Sequence, residues 1–312
     1  MKAAQINTYG DIDVIHVFSD VSKPTPGDDQ VLVEVYASSI NPFDFKVRKG
    51  LMQQMKQLEF PATLGGDISG VIVEVGKNVK DFAVGDKVYG QAGVFGGGSG
   101  AFAEYAAASI NTIAKMPEGL DFSQAAALPL TGISALQVLE NHIKLKVGQK
   151  ILIHGGAGGI GTIAIQIAKH LGAYVATTVS ESSVNYVKQL GADEVIDYKT
   201  QKFEEILKDF DAVFDTVGGE TYNKSYQVLK KGGIIVSMVE APKEELANKY
   251  GVAAITQMTK VRTDDLGKLA QLVKDGVVKA QIDKTFPLDE IQEAFLVQET
   301  GGPHGKVIIK IK

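Results

Sequence analysis

Lys150 to Ala173 reads KILIHGGAGGIGTIAIQIAKHLGA, and this stretch decides the fold. Ile151-Leu152-Ile153 is a short apolar run of the kind that forms a buried parallel strand. It leads into Gly156, Gly158 and Gly161, spaced as G-x-G-x-x-G. Beyond them Ile160, Ile163, Ala164, Ile167, Ala168 and Leu171 recur at the helical period and mark one apolar face. Strand, glycine turn and helix in this order cradle the pyrophosphate of a dinucleotide. The glycines permit a tight turn, leave the backbone bare where phosphate approaches, and let the helix lie close to the strand. The helix N-terminus adds N–H groups and the positive end of its dipole. On this reading Gly156, Ala157, Gly158, Gly159, Ile160 and Gly161 bind the cofactor. A glycine turn kept for packing alone is the competing reading.

Downstream of this turn, strands and helices alternate. Strands are expected at Tyr174–Val179, Glu194–Ile196, Asp211–Asp215, Gly233–Met238 and Val252–Thr256. Helices are expected at Ser182–Leu190, Phe203–Leu207 and Thr221–Leu229. Such alternation implies a doubly wound parallel sheet. Upstream the pattern differs. Val31–Val35 and Ile68–Val75 read as strands, Val84–Gly90 as a hairpin-like segment, and Gly93–Gly100 as a flexible loop. Short, punctuated strands point to a small barrel or sandwich. After the nucleotide-binding part come a helix (Asp264–Asp275), a strand (Gln281–Phe286), a helix (Asp289–Glu299) and a last strand (Lys306–Ile311). The expected class is therefore α/β, with a Rossmann domain over 123–258 inserted in a mostly β domain made of 1–122 and 259–312.

Composition narrows the function. The 312 residues are 45% hydrophobic, enough for two full cores, and carry a net charge of −5. That balance offers no basic field for nucleic acid. No apolar run nears the ~20 residues that span a bilayer, and MKAAQINTYG lacks the apolar centre of a signal peptide. Cysteine is absent, which removes disulfides, thiolate ligands and a catalytic thiol and suits a reducing cytoplasm. The histidines at 16, 142, 154, 170 and 304 show no ligand-like spacing, so no metal site is expected.

Several segments together resemble the medium-chain dehydrogenase/reductase superfamily, and within it the zinc-independent quinone oxidoreductase (zeta-crystallin-like) branch. They are Asn41-Pro42-Phe43-Asp44 with Arg48 and Gly50, LGGDISGVIVEVG from Leu64 to Gly76, VGDKVYG, and LPLTGISA from Leu128 to Ala135. The glycine turn, LGADEVIDY at Leu190–Tyr198, DTVGG at Asp215–Gly219 and the terminal GKVIIKI complete the set. The resemblance covers essentially the whole chain and implies a GroES-like catalytic domain around the Rossmann insert. Metal-bearing members place a cysteine where this chain has Asn41, and Gly-His-Glu where it has Gly65-Gly66-Asp67. Without zinc as Lewis acid, a plain ketone is a poor hydride acceptor. A quinone or α,β-unsaturated carbonyl is a better one, because the resulting anion is delocalised and a few hydrogen-bond donors suffice. The expected activity is NADPH-dependent, metal-independent reduction of quinones. An alkenal or enone C=C reductase is the alternative on the same scaffold. An NADPH-binding regulatory or structural protein is the alternative of another class.

The resemblance assigns Asn41 to the active-site face and Thr131 to the nicotinamide. Lys46 stands where some relatives carry tyrosine and is a candidate donor to the substrate oxygen. Set against these roles are a turn residue, a helix N-cap and a solvated lysine respectively. Asp44 and Arg48 read as structural, paired with each other, and Asp67 as the holder of a loop or water network. An acidic residue after the second Rossmann strand selects NAD. Here Ser180, Ser182 and Ser183 follow Val179 instead, and hydroxyls donate to a 2′-phosphate that a carboxylate repels. Glu181 argues the other way. Tyr198 resembles the family tyrosine near that phosphate, its competing reading being an exposed turn aromatic. The expected cofactor is NADP(H). Val217, Gly218, Ser237 and Met238 end later strands at the edge where ligands gather, and Lys306 resembles part of a cofactor-contacting stretch. Gly251–Gln257 reads as an apolar edge strand, which relatives pair in a homodimer.

Overall fold

The computed structural model describes residues 1–312, which divide into two units. One comprises Met1–Leu130, Val261–Asp275 and Ala280–Lys312; the other comprises Thr131–Lys260 and Gly276–Lys279. The first begins with β1 (Ala3–Ile6), β2 (Ile15–Phe18), β3 (Gln30–Ile40), α1 (Pro42–Arg48), β4 (Ala62–Thr63), β5 (Asp67–Val75), β6 (Lys87–Gln91), β7 (Tyr105–Ser109), β8 (Ile113–Lys115) and α2 (Phe122–Ala126). The helix α3 (Pro129–Leu136) carries the chain across the boundary and runs into a π-helical stretch, Gln137–Ile143. The second unit then alternates β9 (Lys150–His154), α4 (Gly159–His170), β10 (Tyr174–Val179), α5 (Val184–Gln189), β11 (Glu194–Asp197), α6 (Phe203–Ile206), β12 (Phe210–Asp215), α7 (Gly219–Ser225), β13 (Leu229–Ser237), α8 (Glu244–Tyr250) and β14 (Ala253–Thr256). The first unit is completed by α9 (Thr263–Lys274), β15 (Ile282–Pro287), α10 (Ile291–Thr300) and β16 (Lys306–Lys310). No helix is long and apolar enough to cross a membrane.

The boundary after Leu130 lies beyond the change of sequence pattern at Ser123, because α2 packs on β3 and β5 of the first unit. Gly276–Lys279 groups with the second unit for a local reason. Gln166 on α4 donates to the Lys279 carbonyl (3.1 Å) and accepts from its amide (2.9 Å).

In the first unit one sheet runs β15-β16-β3-β5-β6-β8, with β7 also on β3, and a smaller one runs β2-β1-β4. Alternation along β3 turns Val31, Val33 and Val35 into a core with Ile68, Ile72 and Val88. The strand continues five residues past Val35, through a segment with no apolar alternation. Its buried serines are satisfied by β5: Ser38 Oγ donates to the Asp67 carbonyl (2.6 Å) and Ser39 Oγ to Asp67 Oδ2 (3.1 Å). A second core joins Ile6, Ile15, Ile40 and Phe102 to Phe295 and Ile309. The segment read as hairpin-like is a turn at Ala83–Asp86 entering β6. The loop Gly93–Gly100 holds a short 3-10 turn, tied by Lys56 Nζ to the Val94 carbonyl (2.7 Å).

The second unit is a six-stranded sheet in the order β11-β10-β9-β12-β13-β14, parallel throughout. Counted from β9 this is 3-2-1-4-5-6, the doubly wound order, with its reversal between β9 and β12. Leu152 pairs with Ala176 on one side and Val213 on the other. All three lie in a core closed by Phe203, Phe210, Tyr222 and Tyr226. The hydroxyls of the two tyrosines meet at 2.7 Å, so neither is buried without a partner. The helix expected over Thr221–Leu229 begins earlier, at Gly219, and finishes as a 3-10 turn. α1, α2, α3, α8 and the π-helical stretch have no counterpart among the expected helices. α1 has seven residues, too few to display a period, and is set instead by Pro42 and by Asp44 capping the Asn41 amide (2.7 Å).

Candidate functional site

β9 ends at His154 and α4 begins at Gly159, so the glycine turn sits at the carboxyl edge of the sheet beside its reversal. The turn is held by Gly158 N donating to the Gly155 carbonyl (3.0 Å) and Gly156 N to that of Thr178 (3.2 Å). Two glycines are demanded by packing. A Cβ on Gly156 falls 2.0 Å from Thr177 Oγ1, and one on Gly161 falls 2.2 Å from the Gly155 carbonyl oxygen. Gly158 is different. Its φ of −78° suits any residue, and the nearest atom to a Cβ there is 3.4 Å away. Nothing inside the turn requires glycine at 158, and the backbone there is left open to an approach from outside. Gly158 is also the N-cap of the twelve-residue α4, and no side chain caps that end. The first-turn N–H groups are thus left to an external acceptor. This turn fits a dinucleotide pyrophosphate.

His154 supports the turn from behind. It is fully buried, with Nε2 2.9 Å from Ser225 Oγ and Nδ1 2.9 Å from Thr178 Oγ1. Ser225 donates its hydroxyl hydrogen to the Thr221 carbonyl (2.6 Å), so it accepts from Nε2. The Nε2–H tautomer follows, and Thr178 donates to Nδ1. Burial pushes the imidazole down to about 3, opposed only by the Glu204 charge.

The other expected cofactor residues of this unit line the same carboxyl edge. Ser180 follows β10, and its Oγ lies 3.1 Å from Ser182 Oγ and 3.3 Å from Ser183 Oγ. Ser182 is exposed and Ser183 buried. Tyr198 follows β11 and bonds the Val179 carbonyl through its amide (3.1 Å), which brings its backbone beside the start of the serine segment; the residue is 59% exposed. After β12, Asp215 accepts from the amides of Val217 and Gly218 (both 3.0 Å) and from Ser237 Oγ (2.6 Å). Ser237 Oγ in turn accepts from the amides of Val239 and Glu240. The Ser237 hydroxyl therefore joins the two strand ends and has no hydrogen left to donate, while Val217 is left 54% exposed. Met238 is half-buried, its amide on the Asp215 carbonyl. The role of Asp215 has a readable signal, since an aspartate two residues before an amide makes an Asx-turn.

The first unit holds a buried polar cluster. Asn41 Nδ2 donates to Asp67 Oδ2 (2.8 Å), and the amide's carbonyl oxygen accepts a short bond from Lys306 Nζ. Lys306 also donates to the Ile40 carbonyl (2.7 Å) and lies 4.0 Å from Asp67 Oδ2. Asp67 receives further hydrogens from Ser39 Oγ, from Gln91 Nε2 (3.0 Å) and from the Leu130 amide (3.2 Å). Burial pushes Asp44 up to about 7, helped by the Asp67 charge and resisted by the Asn41 amide. Burial likewise pulls Lys306 down, and the two carboxylates oppose it. Lys306, expected among the cofactor contacts, is thus 4% exposed and engaged with Asn41 and Ile40. The contributions of Ser39 and Gln91 had no signal in the sequence.

The expected Asp44–Arg48 pair is corrected, and the competing N-cap reading of Thr131 falls. Arg48 does not pair with Asp44. Its fully buried guanidinium meets Glu299 at 2.8 Å and lies over the Phe295 ring, while Asp44 caps α1. A helical spacing of four permits the expected pair, but the burial of both groups against different neighbours overrides it. Thr131 is the third residue of α3 and so cannot be its N-cap; it is buried, and it belongs to the second unit. Lys46 is half-buried on α1, and the ion pairs of that region run from Arg48 and Lys49 to Glu299 instead.

Comparison with known proteins agrees with this geometry. An alcohol dehydrogenase GroES-like domain model matches residues 27–118, and a zinc-binding dehydrogenase model matches residues 190–309. The chain is 38% identical over 318 residues to a 2-methylene-furan-3-one reductase of Solanum lycopersicum, covering 99% of this chain and 79% of that one. It is 35% identical over 317 residues to a chloroplastic NADPH-dependent alkenal/one oxidoreductase of Arabidopsis thaliana, with the same coverage, 99% and 79%. Among solved structures, the quinone oxidoreductase from Coxiella burnetii superposes with a TM-score of 0.92 at 36% identity, over 100% of this chain and 99% of that one.

Proposed function

We propose that this chain, which belongs to the medium-chain dehydrogenase/reductase family, reduces quinones with NADPH and without a metal. The observation that carries the reading is the glycine turn of the second unit, bare at Gly158 where no internal contact requires it. The nicotinamide, when bound, supplies a hydride. The work left to the protein is to bind the dinucleotide, to stabilise the oxygen on which charge develops, and to let a proton reach it. Gly156 to Gly161 bind the pyrophosphate, with Val217, Gly218, Ser237 and Met238 along the same edge. Ser180, Ser182, Ser183 and Tyr198 meet the adenosine 2′-phosphate. Asn41 and Lys46 supply hydrogens to the substrate oxygen, and Thr131 contacts the nicotinamide. The net change is a quinone plus one hydride and one proton giving a hydroquinone.

A second reading, reduction of an alkenal or enone C=C bond, is favoured by the activities for which the two plant relatives are named. The same donors serve both, because reduction of either acceptor leaves negative charge on the oxygen of a conjugated system. A spectrophotometric panel of NADPH and NADH against quinones, enals, enones and simple alcohols separates the readings. The expected result is NADPH oxidation with quinones, no reaction of alcohols, and roughly tenfold or greater preference for NADPH over NADH, the worth of one or more hydrogen bonds to a phosphate. A saturated carbonyl as the main product selects the second reading. Tight NADPH binding with no turnover of any acceptor leaves a regulatory or structural role.

A homodimer and a cytoplasmic setting belong to the same proposal. β14 is one of the two outer strands of the parallel sheet, and Ala254 and Ile255 on it are only half-buried. An edge of this kind is a template for pairing with a second copy. Light scattering is expected to give twice the mass of the 33.3 kDa chain, and a monomeric mass removes the dimer. The cysteine-free composition suits a reducing compartment, which cell fractionation reads directly.

A further inference from the structure

We infer that Lys306 is a positioning residue for Asn41: its ammonium holds and polarises the Asn41 carboxamide, so that the amide is a pure hydrogen donor with one N–H left for substrate. The inference rests on the reductase reading above and gives the buried cluster of the first unit a specific task.

A free asparagine amide offers two acceptor lone pairs and two donor hydrogens, and it can flip. Here it cannot. The Asn41 oxygen accepts from Lys306 Nζ, and one Nδ2 hydrogen goes to Asp67 Oδ2 at 2.8 Å. Flipping the amide would set its NH2 against an ammonium and its oxygen against a carboxylate, two repulsive contacts in place of two attractive ones. Both clamping groups are themselves fixed. Asp67 is fully buried and receives hydrogens from Ser39, Gln91 and the Leu130 amide. Lys306 is anchored on the Ile40 carbonyl at 2.7 Å.

Electron density drawn toward a cation on the amide oxygen leaves the amide hydrogens more positive. Hydrogen bonds in such a chain strengthen one another at low dielectric. The second Nδ2 hydrogen is thereby suited to an oxygen that gains negative charge during reduction and less to a neutral carbonyl. An interaction made mainly in the transition state lowers kcat when removed and leaves KM for the quinone nearly unchanged.

The test uses the intact protein and three variants: Lys306→Met, Asn41→Ala and the double variant. Lys306→Met is expected to lower kcat roughly five- to thirty-fold, the difference between a charge-assisted and a neutral hydrogen bond. Quinone KM and the NADPH dissociation constant, measured by fluorescence titration without quinone, are expected to stay within about twofold. The double variant is expected to be no slower than Asn41→Ala, because Lys306 acts only through that amide. Lys306→Gln restores a neutral donor and is expected to fall between wild type and Lys306→Met, and it serves if the methionine variant does not fold. Additive losses in the double variant overturn the inference. So does weakened NADPH binding with unchanged kcat, which would return Lys306 to the cofactor. If wild-type protein binds NADPH but reduces no quinone or enone, the reductase reading fails instead.

Discussion

Below pH 6.5 the protein is expected to lose about 1.4 kcal/mol of stability per pH unit through His154 alone. The imidazole sits at about 3 in the folded chain, against 6.5 for an ordinary histidine. Above 6.5 both folded and unfolded states hold it neutral, and it contributes no pH dependence. As pH falls below 6.5 the unfolded chain takes up a proton that the folded chain refuses. The unfolded state then binds more protons, so stability declines with falling pH until the folded imidazole itself titrates near 3. By pH 5 the loss is about 2 kcal/mol, a large part of a typical domain's 5–15 kcal/mol. The consequence is local as well as global, because Thr178 bonds both His154 and, at 3.4 Å, the Gly155 amide of the glycine turn. Urea unfolding of wild type and His154→Gln across this range isolates the effect, since carboxylate contributions are common to both. The difference between the two is expected to change by about 1.4 kcal/mol per unit below pH 6.5 and to be flat above it. Parallel curves would show that His154 does not titrate as described.

Gly158→Ala is expected to weaken NADPH binding roughly tenfold to a hundredfold while the chain folds normally. A methyl group placed where a phosphate must lie against backbone costs about 1–3 kcal/mol, as overpacking does elsewhere, and each 1.4 kcal/mol is tenfold in affinity. The fold is spared because the added Cβ meets only the Gly155 oxygen at 3.4 Å and the φ of −78° is ordinary. The cost of alanine in place of glycine at an N-cap is modest, about 1 kcal/mol or less. Gly161→Ala is the contrasting variant. Its Cβ would fall 2.2 Å from the Gly155 oxygen and 2.7 Å from Gly156 Cα, so the turn itself must open. That variant is expected to lose melting temperature and affinity together. Calorimetric titration with NADPH and thermal melts of both variants make the comparison. Unchanged affinity in a well-folded Gly158→Ala protein would mean that the turn is a packing feature only.

The two glycine variants mark how far the sequence could be read. The spacing of Gly156, Gly158 and Gly161 after an apolar run is local, and so was legible. It could not say which glycine answers to packing and which does not, because for Gly156 that depends on Thr177 of a neighbouring strand. Asn41 was singled out by resemblance alone. Its partners Asp67 and Lys306 stand 26 and 265 residues away, and no periodicity links them. The pairing expected between Asp44 and Arg48 followed from their spacing on one helix, yet Arg48 reaches Glu299 on α10. A lysine at the start of a strand likewise gives no sign of whether its ammonium is buried, and that of Lys306 is.

What the sequence determined by itself is the order and type of the elements around the turn. Hydrophobic period and glycine spacing act between near neighbours, and they suffice for alternating strands and helices, a parallel sheet and a tight glycine turn between its first strand and helix. What only the tertiary structure decided is the chemical state of the polar groups. It set the tautomer of His154, the raised carboxyl of Asp44 and the clamped amide of Asn41. Those states depend on desolvation and on donors brought from remote positions, and both exist only once the cores have closed.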